Sequence, residues 1–216
     1  MRMHIKAELR PLHRIAVLAS VDVVSTVTIE DLSRVTPCAD WSLADLLTHM
    51  TVQHRGFAAA ARGHGADLAT WQPATVADAV AADPAGSYAA AAADVIDAFA
   101  DVDELDAAFA LPEFGPDATF PGALAIGFHF VDYVVHGWDV ACTMGHPFEL
   151  PSDVVAAALP IALAVPDAEF RVADDAPFGP SIPPGEKADD LDRALAYLGR
   201  SPEWTPRHRN ERHVVS

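Results

Sequence analysis

Residues 122–144 read GALAIGFHFVDYVVHGWDVACTM, between Pro121 and Gly145. This stretch is expected to form a long helix, entered after a proline and stopped by a glycine. Within it His129, Asp132, His136 and Asp139 follow one another at intervals of three, four and three residues. At helical pitch these four polar side chains line a single stripe. The rest of the surface is Phe, Val, Tyr and Trp, and an apolar helix does not bury such a stripe without a reason. Asp132 and His136, one turn apart, can each give one ligand atom to a divalent cation. The same spacing fits a hydrogen-bonded Asp–His pair with no ion, and spacing alone does not separate the two.

Upstream, Leu9, Leu12, Ile15, Ala16, Ala19 and Val23 recur at helical spacing, in a helix that Pro11 requires to begin near Arg10. Ser42-Leu43-Ala44-Asp45 is a capping box, opening a helix that runs to about Arg62 before Gly63-His64-Gly65. Residues 64–75 read as irregular, Val76–Ala82 as a short helix and 85–100 as an alanine-rich third long helix. Residues 103–120 read as a loop with at most one short extended piece. Downstream, Pro151-Ser152-Asp153 opens a helix to about Ala164, 170–184 is proline-rich, and a last helix covers 189–198 before Gly199. Long helices with little β pattern indicate an all-α bundle. The expected division is a bundle over 1–146, a small helical extension over 147–204 packed on it, and a disordered polar tail over 205–216.

The chain has 216 residues, 51% of them apolar, and a net charge of −17. That is enough to bury a full core without disulfides. So acidic a surface excludes nucleic acid as a partner and disfavours anionic membranes. No signal-peptide pattern and no apolar run long enough to span a bilayer are present, and Cys38 and Cys142 make no disulfide framework. A cytoplasmic protein with a small-molecule substrate is expected. An apolar face on the first helix could support a homodimer or belong to the core.

Ten histidines are present. His4, His208 and His213 lie near the termini, His64 is in a glycine loop, and His13 and His54 have charged neighbours. All six are read as surface residues. His49 differs, standing among Leu46, Leu47 and Met50 on a stretch that should face the core. Facing helices in a bundle lie about 8–10 Å apart, so His49 can meet Asp132 and His136. Three protein ligands leave positions open for water or substrate, as at catalytic zinc.

The segment Thr36-Pro37-Cys38-Ala39-Asp40-Trp41-Ser42-Leu43-Ala44-Asp45-Leu46-Leu47-Thr48-His49 resembles a signature of the mycothiol-dependent maleylpyruvate isomerase group, within the DinB-like superfamily. Val135-His136-Gly137-Trp138-Asp139-Val140-Ala141 resembles its second signature. Leu198-Gly199-Arg200-Ser201-Pro202-Glu203-Trp204 resembles the ending of an actinobacterial subgroup. The likeness runs over roughly residues 8–204. It implies a DinB-like four-helix bundle holding a divalent metal through His49, Asp132 and His136. Zinc is the first expectation, and iron, nickel or manganese accept similar ligands. The isomerase has glutamate where this chain has Asp132, one methylene shorter. His129, one turn earlier, is the substitute or supplement to test. The resemblance also implies mycothiol as cosubstrate.

Asp139 is read as standing behind the ligands or partnering a helix N-terminus. Trp41 and Trp138 are read as packing residues, and Cys38 as a buried small residue near the site. Three functions follow. The first is a metal-dependent isomerase or S-transferase that uses a low-molecular-weight thiol on a small electrophile. The second is a metal-dependent lyase or hydrolase without thiol. The third is a non-catalytic small-molecule or metal-binding protein.

Overall fold

A computed structural model of the chain describes residues 8–38, 41–167, 171 and 178–206. The helices are α1 (Arg10–Val24), α2 (Leu43–Ala61), α3 (Ala77–Ala82), α4 (Pro84–Ala100), α5 (Gly122–Met144), α6 (Ser152–Ala162) and α7 (Asp190–Tyr197). The four long helices α1, α2, α4 and α5 close a bundle in which α1 packs on α4 and α5, and α2 on the same two. α6 lies against α5 and α1, and α7 against α6. The chain is thus mainly helical, as its periodicity requires. No helix among the described residues is long and apolar enough to cross a membrane.

Local chemistry sets the helix ends. Pro11 sits in the first turn of α1, where its missing N–H costs nothing. At α2 the Ser42 hydroxyl accepts from the Asp45 N–H, and the Asp45 carboxylate accepts from the Ser42 N–H at 3.0 Å. Ser42→Ala should therefore lower stability by about 1 kcal/mol, read as a shift in urea midpoint. No measurable change would mean the box does not hold the start of α2. Asp83 caps α4 by accepting from the Gly86 N–H at 2.9 Å. α5 ends on Gly145 at φ 72°, the left-handed conformation glycine adopts without strain.

Residues 108–121 depart from the expected loop. Ala108–Ala110 (β1) and Thr119–Pro121 (β2) pair antiparallel, with Phe109 opposite Phe120. Strands of three residues are too short for an alternating pattern to show in sequence. Phe109 is buried, with its ring centroid 6.2 Å from that of Phe99 on α4. Between the strands, a single turn at Pro112–Phe114 brings Glu113 to α2.

The C-terminal part is anchored by a close backbone approach. Gly199 has φ 80°, and a Cβ there would lie 2.9 Å from the carbonyl of Gly179. Gly199 ends α7, and the next residue, Arg200, is directed into the body of the protein. The tail expected to be disordered lies largely outside the described residues, as do His4, His208 and His213.

Two histidines read as surface residues are core residues. His13 is 1% exposed and His54 is 0% exposed. His13 Nε2 lies 2.8 Å from His129 Nδ1, and His129 Nε2 lies 3.2 Å from His54 Nδ1. Three imidazoles from α1, α5 and α2 thus form one hydrogen-bonded row through the bundle. Tyr133 stacks on two of them, His54 at 4.0 Å and His129 at 4.2 Å between centroids. Burial drives the basicity of all three down, that of His13 to about 3. They are neutral inside the fold, which lets each ring both donate and accept.

Candidate metal centre

His49 projects from α2, and Asp132 and His136 project from the facing stripe of α5. One ligand atom from each lies within 4.8 Å of the others. His136 Nε2 is 3.4 Å from Asp132 Oδ1, and His49 Nε2 is 3.9 Å from Asp132 Oδ2. Both separations exceed the N–H···O hydrogen-bond range of about 2.7–3.2 Å. Donors about 2.0–2.1 Å from a tetrahedral ion stand about 3.3 Å apart. The His136–Asp132 pair stands close to that spacing and the His49–Asp132 pair somewhat wider, so the three donors are grouped as a cation site requires. Exposure is graded: the His136 side chain is 3% exposed, Asp132 23% and His49 29%. One side of the cluster is sealed, and the other opens to solvent.

The sealed side explains the orientation of His136. Its Nδ1 lies 2.9 Å from Asp139 Oδ2, three residues along α5. With that nitrogen donating to the carboxylate, Nε2 carries the lone pair and faces the cluster. Asp139 is fully buried and also accepts from Arg200 Nη2 at 3.2 Å. Burial raises the Asp139 carboxyl, but Arg200 and His136 outweigh it and hold it below the ordinary value. Asp132 behaves alike: burial raises it, and His136, His49 and Arg200 bring it below the usual carboxylate range.

Cys38 also reaches this side. Its Sγ accepts from Arg200 Nη2 at 3.1 Å and is close enough to His136 and Asp139 for the three to form a second donor group. The buried guanidinium of Arg200 sits against that group and opposes a cation there. Burial pushes the Cys38 thiol up to about 12, despite Arg200, so in the absence of a bound cation it stays protonated near neutrality.

His129 does not join the cluster. Both its ring nitrogens face His13 and His54, which answers whether it could replace Asp132. A three-residue step along α5 turns a side chain by about 60°, enough to move His129 from the α2-facing cleft into the core. Trp41 packs beside the cluster, its ring 4.9 Å from His49 and 6.3 Å from His136. Trp138 is buried in the main apolar core.

Three nearby residues had no role assigned from the sequence. Arg200 is one, although its Gly199-Arg200 segment carried part of the resemblance. Gln53 is one turn beyond His49 on α2, and its Nε2 donates to Glu113 Oε1 at 2.5 Å. Glu113 is exposed as a residue, yet its carboxyl is turned inward. That partial burial raises its pKa, against the pull of Gln53 and His49.

The family profile described as the mycothiol maleylpyruvate isomerase N-terminal domain matches residues 13–141. Two uncharacterised proteins from strains of Mycobacterium tuberculosis are each 26% identical over 190 residues, 88% of this chain and 96% of theirs. The crystal structure of the mycothiol-dependent maleylpyruvate isomerase superposes with a TM-score of 0.56 at 13% identity, over 76% of this chain and 71% of that one. At that identity the likeness speaks for the shared fold.

Proposed function

This chain belongs to the mycothiol maleylpyruvate isomerase N-terminal domain family, and from that premise we propose that it is a divalent-metal enzyme using a low-molecular-weight thiol, mycothiol, on a small electrophile. The reaction is an isomerisation or an S-transfer. His49, Asp132 and His136 hold the ion, with zinc the first choice. The observation that carries this reading is the convergence of three N and O donors at separations too long for hydrogen bonds and suited to one cation. A divalent ion bound there supplies Lewis acidity, lowering the pKa of a thiol or polarising a carbonyl.

The protein groups divide the remaining work. Asp139 fixes the His136 tautomer, and Arg200 balances the Asp139 charge. Trp41 covers one flank of the two imidazoles and limits water there. The open side, at His49 and Asp132, is where a thiol and its acceptor would enter. Two free thiols suit a reducing, cytoplasmic setting.

Elemental analysis of the full chain should find about one divalent ion per molecule in the wild type and less than about a tenth of that in His136→Ala, as expected on losing one of three ligands. Metal-loaded protein should then conjugate thiol to an electrophile, and chelator should abolish the rate. Stoichiometric metal in His136→Ala would sink the site. A loaded protein inactive across thiols and electrophiles would sink the reaction.

A further inference from the structure

The open side of the cleft has a wall of its own. Phe128 stands one turn before Asp132 on α5, and Gln53 one turn after His49 on α2, so each shares a face with a ligand. Gln53 holds Glu113, and the adjoining Phe114 packs against Phe120 and Phe128, with centroids 5.0 and 5.3 Å apart. Phe120 and Phe128 are themselves 5.3 Å apart. Phe114 remains 56% exposed, although two aromatic partners lie against it. A carboxylate and three mutually packed rings thus border the side from which a substrate would approach.

Resting on the function proposed above, we propose that Glu113, Phe114, Phe120 and Phe128 form the electrophile subsite. The electrophile they fit bears a ring, has no net negative charge, and offers an N–H or O–H group to Glu113. The apolar part comes from the rings: a planar group laid on Phe114 and Phe128 gains offset or edge contacts and removes apolar surface from water. The donor follows from Glu113, which as a carboxylate offers only acceptors. The charge follows from the local balance. Asp132, Asp139 and Glu113 bring three carboxylates, and Arg200 brings one guanidinium already paired with Asp139. A divalent ion makes the site neutral and leaves no positive charge to hold a dicarboxylate.

The test uses full-length, zinc-loaded protein and calorimetric titration with three probes: acetohydroxamic acid, which reports the ion alone, benzohydroxamic acid, which adds a ring, and maleate, a dianion. Benzohydroxamic acid should bind at least about tenfold more tightly than acetohydroxamic acid, a gain of about 1.4 kcal/mol. Phe114→Ala removes an exposed ring. It should erase most of that gain and leave acetohydroxamic acid binding unchanged. Maleate should bind more weakly than either, and Glu113→Gln should strengthen it severalfold. Equal affinity for the two hydroxamic acids, a gain that survives Phe114→Ala, or maleate as the tightest ligand would overturn the subsite while the ion-holding reading stands. If the protein takes up no zinc, or neither hydroxamic acid binds the loaded chain, both fall.

Discussion

Arg200→Ala is expected to destabilise the protein by about 3–5 kcal/mol, the usual cost of leaving one member of a buried ion pair without its partner. For a chain of this size that is a fall in Tm of roughly 6–20 °C. Asp139 is fully buried, and Arg200 is 4% exposed. Removing the guanidinium leaves the carboxylate with His136 Nδ1 as its remaining side-chain partner. The Cys38 thiol and the face of Phe178, 5.5 Å from the guanidinium, lose their contact too. Thermal unfolding followed by circular dichroism measures the loss. Arg200→Met combined with Asp139→Asn should recover part of it, because no charge is then stranded. A single variant within about 0.5 kcal/mol of the wild type, the ordinary range for surface substitutions, would show that the pair does not hold the segment around Arg200 to α5.

The second large effect is acid sensitivity. His13, His54 and His129 are held neutral inside the fold because burial disfavours their charged forms. In the unfolded chain each titrates near 6.5. As pH falls below that value the unfolded state takes up protons that the folded state refuses, so stability declines with falling pH. The contribution is fully present above about pH 6.5 and is lost progressively toward the folded value, about 3 for His13. Three such groups together amount to a loss on the order of 4–6 kcal/mol between pH 7 and pH 5. Urea titrations of metal-free protein at pH 7, 6 and 5 measure this effect without the pH dependence of metal release. His129→Gln should remove about a third of the slope. A urea midpoint that stays flat over this range would rule out three buried neutral imidazoles.

The two histidine groups show what sequence could and could not convey. The convergence of His49, Asp132 and His136 was legible because one-turn spacing on α5 and a capping box fixing the phase of α2 are local facts, and the resemblance linked the two helices. His13 and His54 were misread because their immediate neighbours, such as Arg14 and Arg55, are charged. The better guide was one turn away: His13 shares its face with Ala16, Val17 and Ser20, and His54 with Leu47, Met50 and Phe57, all buried. The helical order was legible from apolar period, caps and glycine stops. The hairpin was not, since three-residue strands carry no period. Arg200 and Glu113 reach the site from 61 and 60 residues away from Asp139 and Gln53, and no local pattern encodes contacts of that range.

The approach of Gly199 to Gly179 determines where the protein can be cut. The family profile ends at residue 141, yet the counter-charge to Asp139 arrives at residue 200, swung inward by that glycine contact. A fragment trimmed to the four long helices would keep every proposed ligand and lose the cation behind them. Grafting or fusion experiments that treat this bundle as an interchangeable cassette should therefore carry residues 178–206 with it, or neutralise Asp139 in the same step.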